Sequence, residues 1–69
     1  MTEHVYKLTE IVGTSRESMD AAIRNAIAKA QKSLRHVRWF EVINHRGYVE
    51  ENGGLFHQVT LKIGFTLDD

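Results

Sequence analysis

From Leu55 to Leu67 the chain alternates. Leu55, Val59, Leu61, Ile63, Phe65 and Leu67 point one way; Gln58, Thr60, Lys62 and Thr66 point the other. A period of two is the pattern of a β-strand with one face against a core. It is a strong constraint, because a one-residue slip would turn every apolar side chain of the set into water. The strand therefore needs an apolar cover on one face and strands at its edges, all supplied by 69 residues.

The cover is a helix. Met19, Ala22, Ile23, Ala26, Ile27, Ala30 and Leu34 recur at three- and four-residue spacing, one apolar stripe of an amphipathic helix running to about Leu34. Asp20, Arg24, Asn25, Lys32 and Arg35 lie opposite, and Lys29, Lys32 and Arg35 suit the negative end of the helix dipole. Three alanines let the helix axis lie close to whatever it packs on. Thr14 with Glu17 fits a capping box, and Ser15 is an equally good N-cap.

Two further strands are readable. Val5 to Val12 is rich in β-branched and aromatic residues and ends at Gly13; Val37 to Val49 is a long strand holding the lone tryptophan, Trp39. Asn52-Gly53 predicts a two-residue hairpin turn joining the second strand to the third. The fold class is α+β, in the order β-α-β-β: a three-stranded antiparallel sheet packed on one amphipathic helix, one domain over residues 1–69. The first strand can pair with either of the others. One helix covers one face of a sheet, so Trp39 and Ile43 fall on the bare face if Phe40 and Val42 face the helix. Exposed apolar groups of that size predict a partner surface or a ligand.

Composition narrows the classes. A chain this short buries only about 60% of its unfolded surface, so its core is marginal. With no cysteine there is no disulfide, thiolate metal site or cysteine nucleophile, and self-association is the remaining support. Nine basic and nine acidic residues cancel, leaving no net field toward nucleic acid or anionic lipid. No apolar run approaches the roughly 20 residues that span a bilayer, and no signal peptide opens the chain. A soluble, cytoplasmic protein is expected. His4, His36, His45 and His57 show no ligand spacing and read as surface histidines. Ser15, Ser18 and Ser33 sit at a cap or on the helix, without a partnered base. An enzyme is not expected.

A tryptophan stacks on large rigid planes, and a glutamine amide both donates and accepts. Trp39 with Gln58 on the bare face suggests a flat aromatic ligand. On the residues alone, an interface anchor is the better reading of Trp39, and an exposed strand residue the better reading of Gln58. A structural, protein-interaction oligomer without a cofactor is thus the standing alternative.

The segments Glu10-Ile-Val-Gly-Thr-Ser15, Ala21-Ala-Ile-Arg-Asn25, Trp39-Phe-Glu-Val42 and Gln58-Val-Thr-Leu-Lys-Ile-Gly-Phe65, in this order, resemble the dodecins. The resemblance runs from Tyr6 to Leu67. It implies a hollow homododecamer with paired flavins held between tryptophans of symmetry-related subunits. It places the stacking residue on Trp39, the pyrimidine-edge residue on Gln58 and a basic residue near the site on Arg46. FMN is the flavin implied, with riboflavin or FAD as alternatives, and some bacterial members also take coenzyme A. Storage and photoprotection of flavin are the implied role.

A two-residue turn at Asn52-Gly53 would set Trp39 opposite Thr66, Gln58 opposite Gly47 and Arg46 opposite Val59. Trp39 and Gln58 would then be eight positions apart, roughly 27 Å along the ladder. One ring could not meet both, so a site completed between subunits is expected. Arg46 would lie on the helix-covered face unless a bulge shifts it, and reads equally as ligand contact or solvent-exposed arginine.

Overall fold

The computed structural model describes residues 3–67 and runs β1 (Tyr6–Ser15), α1 (Met19–Gln31), β2 (Val37–Val49), β3 (Leu55–Thr66). The strands form one antiparallel sheet in the order β1-β3-β2. β1 therefore pairs with β3, from Tyr6 opposite Thr66 to Ser15 opposite His57. The strand with the clearest alternation is the central one, where a fixed register matters most.

Local chemistry sets the element ends. β1 is not broken at Gly13; Gly13 pairs with Val59 and the ladder continues to Ser15. The helix is consequently capped by Ser18, whose Oγ accepts from the Ala21 N–H at 3.0 Å, and not by Thr14 or Ser15. Ser15 instead accepts the Glu17 N–H at 2.9 Å in the connecting turn. The helix stops at Gln31, short of Leu34. The Ser33 and Leu34 N–H groups both turn onto the Ala30 carbonyl, at 3.1 and 2.8 Å, and His36 follows with φ 63°. Leu34 still packs against the core from outside the helix.

That core joins Ala22 and Ala26 of α1 to Val59, Leu61 and Ile63 of β3, with Ile11, Ile23, Ile27 and Val42 packed around them. Two glycines permit the closest approaches. A β-carbon on Gly13 would run into the Ala22 carbonyl and lie 2.7 Å from the Ala26 Cβ. One on Gly64, on the other face of the sheet, would fall inside the Trp39 indole. Small residues on strand and helix thus let the helix backbone sit on β1, while the bare face receives the aromatic ring.

Size then leaves much of the sheet bare. Thirteen helical residues span about 20 Å, whereas the thirteen of β2 reach roughly 43 Å. The helix lies over β1 and β3 and scarcely meets β2. Phe40 and Val49 are exposed on the helix side, and Tyr6, Leu8, Val12 and Trp39 on the other.

The hairpin register differs from the expectation in an instructive way. The loop has three residues: the Gly53 N–H donates to the Glu50 carbonyl and the Glu50 N–H to the Gly54 carbonyl, both at 2.8 Å. Gly53 has φ 88°, while Asn52 is not among the positive-φ residues. This is a turn closed by a left-handed glycine, not the two-residue type. It shifts the partner strand by one, so Arg46 stands opposite Gln58 and not Val59. A second shift, a bulge at Ile43, follows between Val42 and Asn44. Two single shifts restore the parity, and Trp39 keeps its expected face opposite Gly64 instead of Thr66.

Two outcomes follow from the glycine contacts. Gly13→Ala should lower stability by about 1–3 kcal/mol through overpacking against helix backbone, read from the urea midpoint at fixed protein concentration; an unmoved midpoint would contradict the packing described. Gly64→Ala should lift the indole off the sheet, red-shifting the emission of the single tryptophan and raising its acrylamide quenching. Unchanged emission would place Trp39 elsewhere.

Candidate functional site

The bare face of the sheet is read rung by rung from the register. At one end Trp39, Gly64 and Leu8 form a row, with Tyr6 opposite Thr66 beyond it. The indole covers Gly64, and its edge meets the Tyr6 ring at 6.2 Å and 66°. Trp39 is nonetheless 39% exposed, so part of the ring remains available to a second plane. The Thr66 Oγ is buried and has no hydrogen-bond partner among the described residues.

In the middle Lys62 stands between Glu10 and Glu41. Val12, Thr60 and Asn44 form the next row.

At the far end Thr14, Gln58 and Arg46 share a row. The Gln58 Oε1 accepts from the Tyr48 hydroxyl at 3.3 Å, and the Arg46 Nε donates to Asn44 Oδ1 at 3.3 Å. Tyr48 thereby engages the carbonyl oxygen of the amide. The Arg46 guanidinium retains its terminal donors. This end presents hydrogen-bond donors beside an amide, suited to the polar edge of a heteroaromatic ring.

The structure therefore brings Arg46 and Gln58 together but keeps Trp39 apart from them. Six positions of β3 separate Gly64 from Gln58, roughly 20 Å, shorter than the eight expected but still beyond one ring. Tyr48 and Tyr6 were missed as neighbours of the expected residues, and Thr66, expected directly opposite Trp39, lies two residues beyond its partner Gly64, opposite Tyr6. Gly64 carried a usable signal, since a glycine inside a strand marks close approach of another group. Tyr48 carried none, because its contact depends on the loop length.

On the helix side of the hairpin, His45 and His57 share a hydrogen bond, Nε2 to Nδ1 at 3.2 Å. Among the described residues no group of three or more histidine, cysteine, aspartate or glutamate side chains converges. No helix of the described residues is long and apolar enough to cross a membrane.

The arrangement has recognisable relatives. The family model described as Dodecin matches residues 5–68. The chain is similar to the dodecin of Thermus thermophilus, 51% identical over 65 residues that cover 94% of each chain. It superposes on the Streptomyces davaonensis dodecin with a TM-score of 0.91 at 46% identity, covering 99% of this chain and 100% of that one. The calcium dodecin of Mycobacterium tuberculosis is 30% identical over 63 residues, 91% of this chain and 89% of its own. Solved variants of the Thermus protein replace a tryptophan by phenylalanine and each of two arginines by alanine, with a TM-score of 0.89 for each. The first arginine lies seven positions after the tryptophan and the second twenty further on. The same spacing from Trp39 falls on Arg46 and then on Thr66. With its β-α-β-β order, its sheet of order β1-β3-β2 and these matches along nearly its whole length, the chain belongs to the dodecin family.

Proposed function

We propose that this protein holds a flavin, FMN or riboflavin, stacked against Trp39 at the seams of a homododecamer, storing the chromophore and shielding it from light. The observation that carries the reading is the indole laid over Gly64 on an uncovered sheet face and still 39% exposed. An aromatic ring held by backbone on one side and open on the other is a ready stacking platform. The family supports a small binding protein over an enzyme.

Gln58 and Arg46 supply the polar half of the site. A flavin's pyrimidine edge alternates carbonyl acceptors with an N–H donor, and an amide answers both. The NH₂ of Gln58 suits a ring carbonyl, with Arg46 beside it in register. Because these groups stand roughly 20 Å from Trp39 in the same chain, the ring meets the indole of one subunit and the amide of another. Bare apolar surface on both faces of the hairpin supports assembly, as does the marginal size of the core.

Stacking also accounts for the protective role. An indole in van der Waals contact with a photoexcited flavin donates an electron and takes it back before reactive species escape. Rings packed between indoles leave no room for a substrate beside the reactive face. Coenzyme A has no residue here in its favour. Nor do the described residues bring together three carboxylate or imidazole groups for a cation within one subunit.

The test is direct. Purified protein denatured in the dark should release a flavin identifiable by mass, and the assembled apoprotein should quench added riboflavin or FMN strongly. Trp39→Ala should abolish the quenching. Gln58→Ala should weaken binding by about 1–3 kcal/mol, the cost of an unmet polar partner. Bright emission from both flavins over assembled protein would refute the proposal, and full affinity in a monomer would refute the shared site.

A further inference from the structure

We infer that His45 and His57 form a two-imidazole site for a divalent transition-metal ion of the zinc class, on the helix side of the hairpin. The residues stand twelve apart in the chain, a spacing that belongs to no ligand motif. Register brings them together. His45 pairs with Val59 and His57 with Gly47, so the two occupy adjacent rungs on one face. A two-residue turn would have set His57 opposite Tyr48 and put the two rings on opposite faces. Gly47 has no side chain to fill its rung, and the His57 ring lies diagonally toward His45.

The facing nitrogens set the ligand class. His45 Nε2 and His57 Nδ1 are 3.2 Å apart. The rings are 24° from parallel with centroids 5.4 Å apart, so they meet by their edges and not by their faces. Bonds of one tetrahedral zinc ion to two imidazoles would hold the nitrogens about 3.3 Å apart. The gap is thus already that of a chelating pair. Neither ring is buried, and small tilts of the two aim both lone pairs at one point. Alone, the pair shares one proton, an N–H of one ring donated to the other. Binding moves that proton through solvent to the far nitrogen of the donor ring. Both facing nitrogens then carry lone pairs, and neither ring changes charge.

Imidazole suits zinc, copper and nickel, whereas calcium and magnesium take oxygen donors. The side chains sharing these rungs on the helix side are Gly13 and Val59 beside His45, and Ser15 and Gly47 beside His57. None is charged. No third histidine, cysteine or carboxylate of the described residues joins the pair. Water or a donor from a bound small molecule therefore completes the shell, unlike a structural zinc closed by four protein ligands. Both imidazoles are carried by paired strands, so the second bond forms intramolecularly once the first is made.

The assembled protein, stripped with a chelator, is dialysed against zinc ions near neutral pH and the bound zinc is counted. Loading is expected to level at one ion per subunit. His45→Gln and His57→Ala should each weaken binding about a hundredfold, the lower range of what linking two ligands adds. His4→Ala and His36→Ala should leave it unchanged, and calcium at the same concentration should not be retained. X-ray absorption of the zinc-loaded, unaltered protein should show two imidazoles per ion, and this decides if a variant fails to assemble. No retained zinc, a single imidazole per ion, or binding that survives either substitution of the pair would overturn the inference. The flavin reading is tested separately: zinc held here by a protein that takes no flavin upholds this site and refutes that one.

Discussion

The contact on which the rest depends is that of the alanine stripe of α1 with Val59, Leu61 and Ile63 of β3. Ala22 and Ala26 carry so little bulk that the helix backbone comes down onto the sheet, and Gly13 yields the last of the space. Burying three branched aliphatics contributes about 1.5–3 kcal/mol each, a large share of what so short a chain can gather. The same closeness has a cost in reach. A helix drawn onto β1 and β3 leaves β2 almost uncovered, and the hairpin extends well past it, giving a molecule 52 Å long and 16 Å thick.

Exposed apolar surface is thus built into the fold. The core consumes the inward residues of the central strand, while the outward ones are polar save at Phe56 and Gly64. Apolar groups of the bare face come mainly from the edge strands, Tyr6, Leu8 and Val12 on β1 and Trp39 and Tyr48 on β2. Gly64 is the gap in the central strand through which an edge aromatic folds back over the sheet. Packing on one face and ring placement on the other are thereby linked through β3, because Ile63 is held in the core beside Gly64.

Charge is distributed with equal economy. Lys62 between Glu10 and Glu41 separates an aromatic end from an amide and guanidinium end. A single face therefore offers stacking in one place and hydrogen bonding in another, too far apart to serve one small ring in one chain. The physical consequence is that one chain cannot offer both to a single small ring, which is why the proposed site is drawn across a seam between subunits.

The sequence by itself determined the order of elements, the alternation of β3, the helix stripe and the face on which Gln58 lies, because periodicity reports which side of an element meets the core. Its reading of the element ends was less secure: Gly13 looked like a strand end, yet its lack of a side chain serves helix contact inside the ladder. What only the tertiary structure decided is the register of the hairpin. A loop of three residues instead of two moved Arg46 to the side of Gln58, and the Ile43 bulge returned Trp39 to its expected face. Loop length and bulges shift parity by single residues, and no periodicity in the flanking strands records them. Tyr48 beside Gln58, and Thr66 two residues beyond the partner of Trp39 instead of opposite it, follow from that register and so were visible only once the chain was folded.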